Sequence, residues 1–277
     1  MLISAVWALA LMSEPAAPPP TLAPAEKVRR IPADEARQGV AVDADHLYAI
    51  DNTRIGKYDK RTGRKVAEWT GDPALFPHLN SCAVIETRLV CASSNYPATP
   101  MTSSVEVFDP ASLTHVGTVS LGPGTGSLTW VTRKDGFWWA TFANYDDRGG
   151  DAGRDHKSTV LVRFDDEWRR TSAWLFPETV LARFAPKSSS GGVWGPDGRL
   201  YVTGHDAREI YVLALPEAGG VLRHVATMPA AAPGQAIAWD EAQGRIWGID
   251  RARRELIEMA PSPCPYPSRM RVPAGAC

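Results

Sequence analysis

The chain has 277 residues, 44% hydrophobic and 22% charged, with 30 basic against 31 acidic side chains and a formal net charge of -1. That balance, with no long run of either sign, excludes a nucleic-acid-binding face, which needs clustered Lys and Arg. The length fits one large all-β domain or two small ones, and 10 Trp with 23 Gly and 23 Pro point to flat packed strands joined by tight turns.

In chain order, residues 1–12 (MLISAVWALALM) form an apolar run that is too short for a membrane span, which takes roughly 20 apolar residues. The Pro/Ala-rich SEPAAPPPTLAPAE follows. Residues 1–25 read as the apolar region of a secretory signal plus a linker, although no Lys or Arg precedes the run. The mature protein is expected to be periplasmic or secreted, monomeric and without a transmembrane span.

From residue 26 to 261 a repeat runs through the chain. GVAVDADHLYAIDNTRIGKYDKRTGRKVAEWTG from Gly39 reads as apolar strand, turn, aromatic strand, polar turn, apolar strand, Gly turn, last strand. The same order recurs from Ser81, Gly126, Gly191 and Gln235. Innermost strands opening at Gln38, Asn80, Ser127, Ser190 and Gln235 lie about 42, 47, 63 and 45 residues apart, near the period of a four-stranded propeller blade. The long third unit carries the insertion YDDRGGDAGRDHK and a longer exit, FPETVLARFAPK. The fifth unit has only three strands, but EKVRRIPAD before the first unit resembles the outer strands RKVAEWTG and VLRHVATMP. An N-terminal strand that completes the last blade would close the ring and leave no open edge there. The expected fold is therefore an all-β, five-bladed β-propeller of four-stranded antiparallel blades.

Cys82 and Cys91 flank AVIETRLV. With Glu86-Thr87 as a two-residue turn, pairing runs Ile85–Arg88, Val84–Leu89, Ala83–Val90 and Cys82–Cys91, a non-hydrogen-bonded pair with Cα atoms about 4.5 Å apart. That spacing is open to a disulfide; two buried thiols on neighbouring strands is the other reading. Cys264 and Cys277 lie in the Pro-rich tail, residues 262–277, where a bridge would close a small loop. An even cysteine count suits an oxidising compartment.

In a propeller, the loops entering the inner strands and those joining second to third strands emerge on one face. This face would gather Gln38, Asn80, Ser127, Ser190 and Gln235 with the polar strand ends Asp51, Asn52, Asn95, Tyr96, Asn144, Tyr145, Asp146, His205, Asp206, Asp250 and Arg251. Polar groups converging on an apolar scaffold are the default site for a small-molecule ligand; capping of turns is the competing explanation for the Asn, Asp and Ser. His205-Asp206 is the obvious acid–base pair, since histidine moves protons near neutral pH. Arg37, Arg148 and Arg251 suit an acidic substrate. The Gly-rich acidic insertion could act as a lid or take a divalent cation such as calcium, although its spacing fits no EF-hand. Gly122, Gly124 and Gly126 make a GxGxG turn outside any βαβ unit.

The phrases SSVEVFD, GSLTW, FDDEWRR, SSSGGVWGPDGRLYVTGHD, YVLALPEAG and GQAIAWD resemble a family of bacterial propellers loosely labelled "cycloisomerase", over residues 37–260. More distantly the chain is similar to muconate-cyclizing and lactonase propellers, gluconolactonase-like propellers and plant-type glutaminyl cyclases. Gluconolactonase-like enzymes hold an axial divalent metal with Glu, Asn and Asp. Here Asn80, Asn95, Asn144, Asp206 and Asp250 could supply Asn and Asp, but no Glu is expected on the rim. The expected function is that of an enzyme acting on a small polar molecule such as a lactone, muconate or sugar acid at this rim, with His205 transferring the proton, Asp206 or Asp250 orienting it or holding a metal, and Gln38, Asn80, Asn95, Asn144 and Gln235 positioning the substrate. A non-catalytic propeller binding a small ligand, glycan or protein is the alternative.

Overall fold

Period-two strands punctuated by Gly turns fold here into five four-stranded antiparallel sheets, in a computed structural model that describes residues 18–262. Blade 1 comprises Gly39–Val42, His46–Ile50, Arg54–Asp59 and Lys65–Thr70. Blade 2 comprises Leu79–Ile85, Arg88–Ser94, Thr102–Phe108 and His115–Pro123. Blade 3 is Ser127–Lys134, Phe137–Ala143, Val160–Phe164 and Arg170–Leu175. Blade 4 is Gly191–Trp194, Leu200–Thr203, Glu209–Ala214 and Arg223–Pro229. Blade 5 takes Ala238–Asp240, Arg245–Asp250 and Glu255–Ala260 from the C-terminal end, and Glu26–Pro32 as its outer strand.

The closing strand expected from EKVRRIPAD is in place: Glu26 pairs with Ala260, Ile31 with Leu256 and Pro32 with Glu255, antiparallel. Upstream of it the chain also leans on blade 4, where Leu22 N–H donates to Thr227 O and Ala25 N–H to Pro229 O, both at 2.8 Å. The N-terminal segment thus staples blade 4 to blade 5 before closing the ring.

The middle strands are buried on both faces between neighbouring blades, which is why LYAI and LYV read as unbroken apolar runs. Outer strands are half wet and alternate, as in Lys65–Thr70. Five apolar clusters form, one in each gap. Tyr48, Ile50, Leu89 and Phe108 fill the gap between blades 1 and 2. Ile31, Trp247 and Leu256 meet Val40, Leu47 and Tyr58 where blade 5 meets blade 1.

Glu86 adopts φ 54°, the conformation a primed two-residue turn requires. The hairpin register then falls as expected, with Cys82 opposite Cys91, Cα atoms 3.9 Å apart and the sulfurs bonded. Both cysteines are buried in the gap between blades 1 and 2. Reducing this bond should lower the unfolding free energy by about 2–3 kcal/mol. A urea midpoint identical with and without reductant would mean that the bond adds nothing. Cys264 and Cys277 lie outside the described residues.

The exit FPETVLARFAPK contains a short α-helix, Glu178–Phe184, which the repeat pattern did not signal. Seven residues give too few turns for a periodic signal. Val180, Leu181 and Phe184 face inward against Phe176 and Tyr211, and this contact rather than helix propensity holds the segment. Among the described residues, no helix is long and apolar enough to cross a membrane.

Candidate functional site

The five entry positions do converge at one end of the axis, and most of them clasp neighbouring blades together. Asn80 donates its amide to Leu128 O (2.7 Å) and Gln38 to Asn52 Oδ1 (2.7 Å). Ser127 Oγ donates to Ser94 Oγ (2.8 Å), across blades 2 and 3. Gln235 Nε2 donates to His205 O (2.9 Å), and its own carbonyl accepts from Thr203 Oγ1 (2.6 Å). Ala236 N–H donates to Gln38 O (3.1 Å), joining blade 5 to blade 1. Ser190 N–H bonds Thr203 O (3.0 Å), and among the described residues its side chain makes no hydrogen bond. Gln235 is buried and sits at φ 94°, a left-handed backbone that a non-glycine residue holds only when its surroundings fix it. These clasps supply that constraint.

Neighbouring inner strands also pack closely at this end. A Cβ on Gly39 would stand 2.4 Å from the Ala236 Cβ, and one on Gly191 2.6 Å from the Ala236 Cα. Only glycine lets the inner strands of blades 4, 5 and 1 meet there. The rim forms a dish over these close-packed strands.

Several rim residues are occupied by their own loops. Asn95 donates to Pro100 O (3.0 Å) and accepts from Thr102 N–H (2.8 Å). Asp250 is buried, accepts from Ala252 and Arg253 N–H (both 3.1 Å) and pairs with the Arg253 guanidinium (2.9 Å). Desolvation pushes its carboxyl up, but the Arg253 and backbone donors outweigh that and hold it below the ordinary value. Asp51 accepts from Asn52 N–H (2.8 Å) and Arg54 (3.1 Å), with Arg37 and Arg254 at 4.0 and 3.9 Å. Asn144 is fully buried, its Nδ2 donating to Ser158 O (3.2 Å) and its Oδ1 unpartnered.

Of the axial candidates, Asn95, Asp206 and Asp250 spend oxygens on separate partners. Asn80 and Asn144 use their amide N–H groups on backbone carbonyls, and two amide oxygens are too few to hold an axial metal. Asp146, Asp155 and His156 in the insertion do bring ligand atoms within 4.8 Å of one another. There, however, His156 Nδ1 lies 2.6 Å from Asp146 Oδ1, and Asp155 caps Lys157 N–H.

The insertion forms a wall of the dish, tied on both sides. Asp151 Oδ1 accepts from Met101 N–H (2.9 Å), Asp146 N–H donates to Pro186 O (3.1 Å), and Lys187 pairs with Asp147 (2.7 Å). A Cβ on Gly149 would strike the Tyr96 ring at 2.4 Å. Arg148 is exposed and makes no ion pair among the described residues.

What remains for a ligand is a polar and aromatic surface. His205 Nδ1 lies 2.7 Å from Asp206 Oδ1, and Arg251 Nη1 lies 2.9 Å from His205 Nε2. A guanidinium can only donate, so Nε2 is the acceptor and the ring proton sits on Nδ1, directed at Asp206. Burial foremost, and then Arg251 and Lys187, hold the His205 pKa below its ordinary value against the opposing pull of Asp206, so the ring is neutral at pH 7. Tyr145 bonds Ser127, and burial pushes its phenol up, keeping it protonated.

His78, which the sequence pattern did not single out, lies beneath. Its ring packs against Tyr96 (centroids 5.1 Å), and Tyr96 against Tyr145 (5.2 Å). It precedes the inner strand of blade 2, and only its place one residue ahead of Leu79 could have flagged it. Desolvation drives its pKa down to about 4. A histidine whose folded pKa lies below its unfolded value of about 6.5 stabilises the fold above that value, and this contribution fades as pH falls through 6.5 toward 4. The span corresponds to about 3 kcal/mol. Replacing His78 with Asn should flatten the loss of melting temperature between pH 6.5 and 4; an unaltered pH profile would show that His78 carries none of it.

No family profile matches the chain, and no curated protein matches it in sequence. Solved structures do resemble it. Myxococcus xanthus glutaminyl cyclase superposes with a TM-score of 0.57 at 11% identity, over 87% of this chain and 97% of that one. The PQQ-bound aldose sugar dehydrogenase of Streptomyces coelicolor gives 0.51 at 17% identity, over 80% and 77%. At such identities the likeness is one of fold: the chain is a five-bladed β-propeller.

Proposed function

We propose that this propeller acts on a small polar molecule of the lactone, muconate or sugar-acid type at the rim, with His205 as the proton-transfer group. The Asp206–His205–Arg251 chain carries this reading. Arg251 is exposed, and its guanidinium suits bidentate pairing with a substrate carboxylate. Arg37, half exposed and loosely paired to Asp51 at 4.0 Å, offers a second contact. A carboxylate that draws Arg251 onto itself uncovers the Nε2 lone pair. The neutral ring then takes a proton from the substrate, Asp206 stabilises the resulting imidazolium, and the same proton returns to the product, so the cycle consumes no net acid or base. Tyr145 and Tyr96 wall the dish; Gln38, Asn80, Ser127 and Gln235 hold its frame.

The Cys82–Cys91 bond supports an oxidising location, periplasmic or secreted. Glutaminyl cyclase and aldose sugar dehydrogenase show that similar scaffolds carry enzymes, but fold alone assigns no activity.

One observation favours a second reading. Nε2 is already occupied by Arg251, an arrangement that also serves a binding module in which His205 only orients an anion-gripping arginine. The test is a thermal-shift screen against lactones, muconates, sugar acids and peptides, with and without chelator. A ligand at 100 times its Kd should add about 2.7 kcal/mol. Stabilisation by a carboxylate with conversion to product supports the enzyme. Stabilisation without conversion supports the binding module, and no response from any carboxylate removes the proposal.

A further inference from the structure

At the other end of the axis lies a cavity of about 980 Å³, built from the far ends of the inner strands of all five blades. Hairpin turns held in left-handed backbone at Glu86 and Asp135–Gly136 line it. This is a preformed opening, and its lining includes neither Gly39 nor Ala236 of the rim end.

Its lining has three properties. Two indoles, Trp194 of blade 4 and Trp239 of blade 5, stand half-buried at the lip. Lining hydroxyls lie deeper: Ser81 and Thr132 are 4% and 8% exposed, and neither side chain makes a hydrogen bond among the described residues. Buried hydroxyls normally find partners, so these two are free to serve something that enters. Most of the lining charges already have partners. Lys134 lies 3.1 Å from Asp135, Asp240 is held at 3.0 Å by the buried Lys60, Arg133 is drawn to Asp166 at 2.8 Å, and Asp43 accepts from the Tyr48 hydroxyl at 2.7 Å. Glu86 and Glu241 stand exposed at the lip. An ion of either sign entering this space meets charges of its own sign. A neutral molecule that both donates and accepts meets partners for both, and its apolar face suits a tryptophan ring.

We infer that this second cavity is a binding site for a neutral polyhydroxylated ligand, a mono- or disaccharide, with Trp194 and Trp239 as stacking surfaces and Ser81 and Thr132 as hydrogen-bonding groups. It lies at the opposite pole from the proposed proton-transfer site and does not depend on it.

Saturation-transfer NMR on the full chain tests this, with methyl glucoside, maltose and cellobiose as neutral probes and 1,4-diaminobutane and inorganic phosphate as ionic ones. Transfer to at least one neutral saccharide is expected. Its affinity should fall tenfold or more in Trp239→Ala, and measurably in Thr132→Val, which removes one hydroxyl at nearly constant shape and guards against misfolding of the larger change. His205→Ala should leave this binding untouched. The inference is overturned if no neutral saccharide binds, if only the ionic probes bind, or if binding persists unchanged in both cavity variants.

Discussion

A chain that begins at Glu35, without the closing strand, will lose about 5 kcal/mol or more of stability. Six residues of Glu26–Pro32 pair with Glu255–Ala260, and Ile31 buries its side chain in the gap shared with blade 1. At about 1 kcal/mol net per ladder hydrogen bond and about 2 kcal/mol for a buried isoleucine, the strand carries a large fraction of a typical 5–15 kcal/mol. The bonds from Leu22 and Ala25 to blade 4 disappear with it. For a domain of this size the melting temperature should drop by about 10–20 °C, with a freed edge on Glu255–Ala260 that invites aggregation. Calorimetry of the shortened chain against the full one reads this directly. Equal melting temperatures would mean that the ring stands without its clasp.

Replacing His205 with Ala should reduce turnover of any substrate found in the screen by about 10²–10⁴-fold, the usual contribution of a positioned acid–base group, while moving the melting temperature little. The side chain is 29% exposed, and its ring partners are the exposed Asp206 and Arg251, so its loss leaves no buried group stranded. The pH profile adds a second signature. A base must be unprotonated, and the His205 pKa lies below the ordinary value; activity should therefore be level near neutrality and fall as pH drops through that lowered pKa. Arg251→Ala should act mainly on KM, since it removes the carboxylate grip. Full turnover in His205→Ala would eliminate proton transfer at this residue and leave the binding module.

The repeat made the frame legible. Alternating strands, the TG and DG turns and a missing fourth strand in the last unit sufficed to place five sheets and their N-terminal closure, and Glu86-Thr87 fixed the register that sets Cys82 against Cys91. The rim was legible only as a set of positions. Strand period tells which end of a blade a residue occupies, but the partners of its side chain come from neighbouring blades. Asn80 could thus be placed at the axis, yet its bond to Leu128 O could not be read from sequence.

Glu35 illustrates the same limit. In sequence it is one more charge in PADEAR, yet it is fully buried, bonded to the Tyr58 hydroxyl and to Lys65 at 2.6 Å each. A Cβ on Gly56 would stand 2.3 Å from its Oε2, so the glycine of a middle strand makes room for a carboxylate from the entry loop. The cavity at the far pole is illegible in sequence for a related reason. It is lined by ordinary inner-strand residues and hairpin turns, none of them unusual in sequence, and only the meeting of all five blades makes a chamber of them.

The arrangement on which the rim chemistry depends can be measured without knowing the substrate, by NMR titration of the His205 ring in the wild-type, Arg251→Ala and Asp206→Asn proteins. The expected result is a wild-type pKa below the ordinary 6.5, raised when the Arg251 guanidinium is removed and lowered further when the Asp206 charge is removed. A wild-type value at or above 6.5 that neither substitution moves would contradict the Asp206–His205–Arg251 chain, and with it the case for proton transfer at this rim.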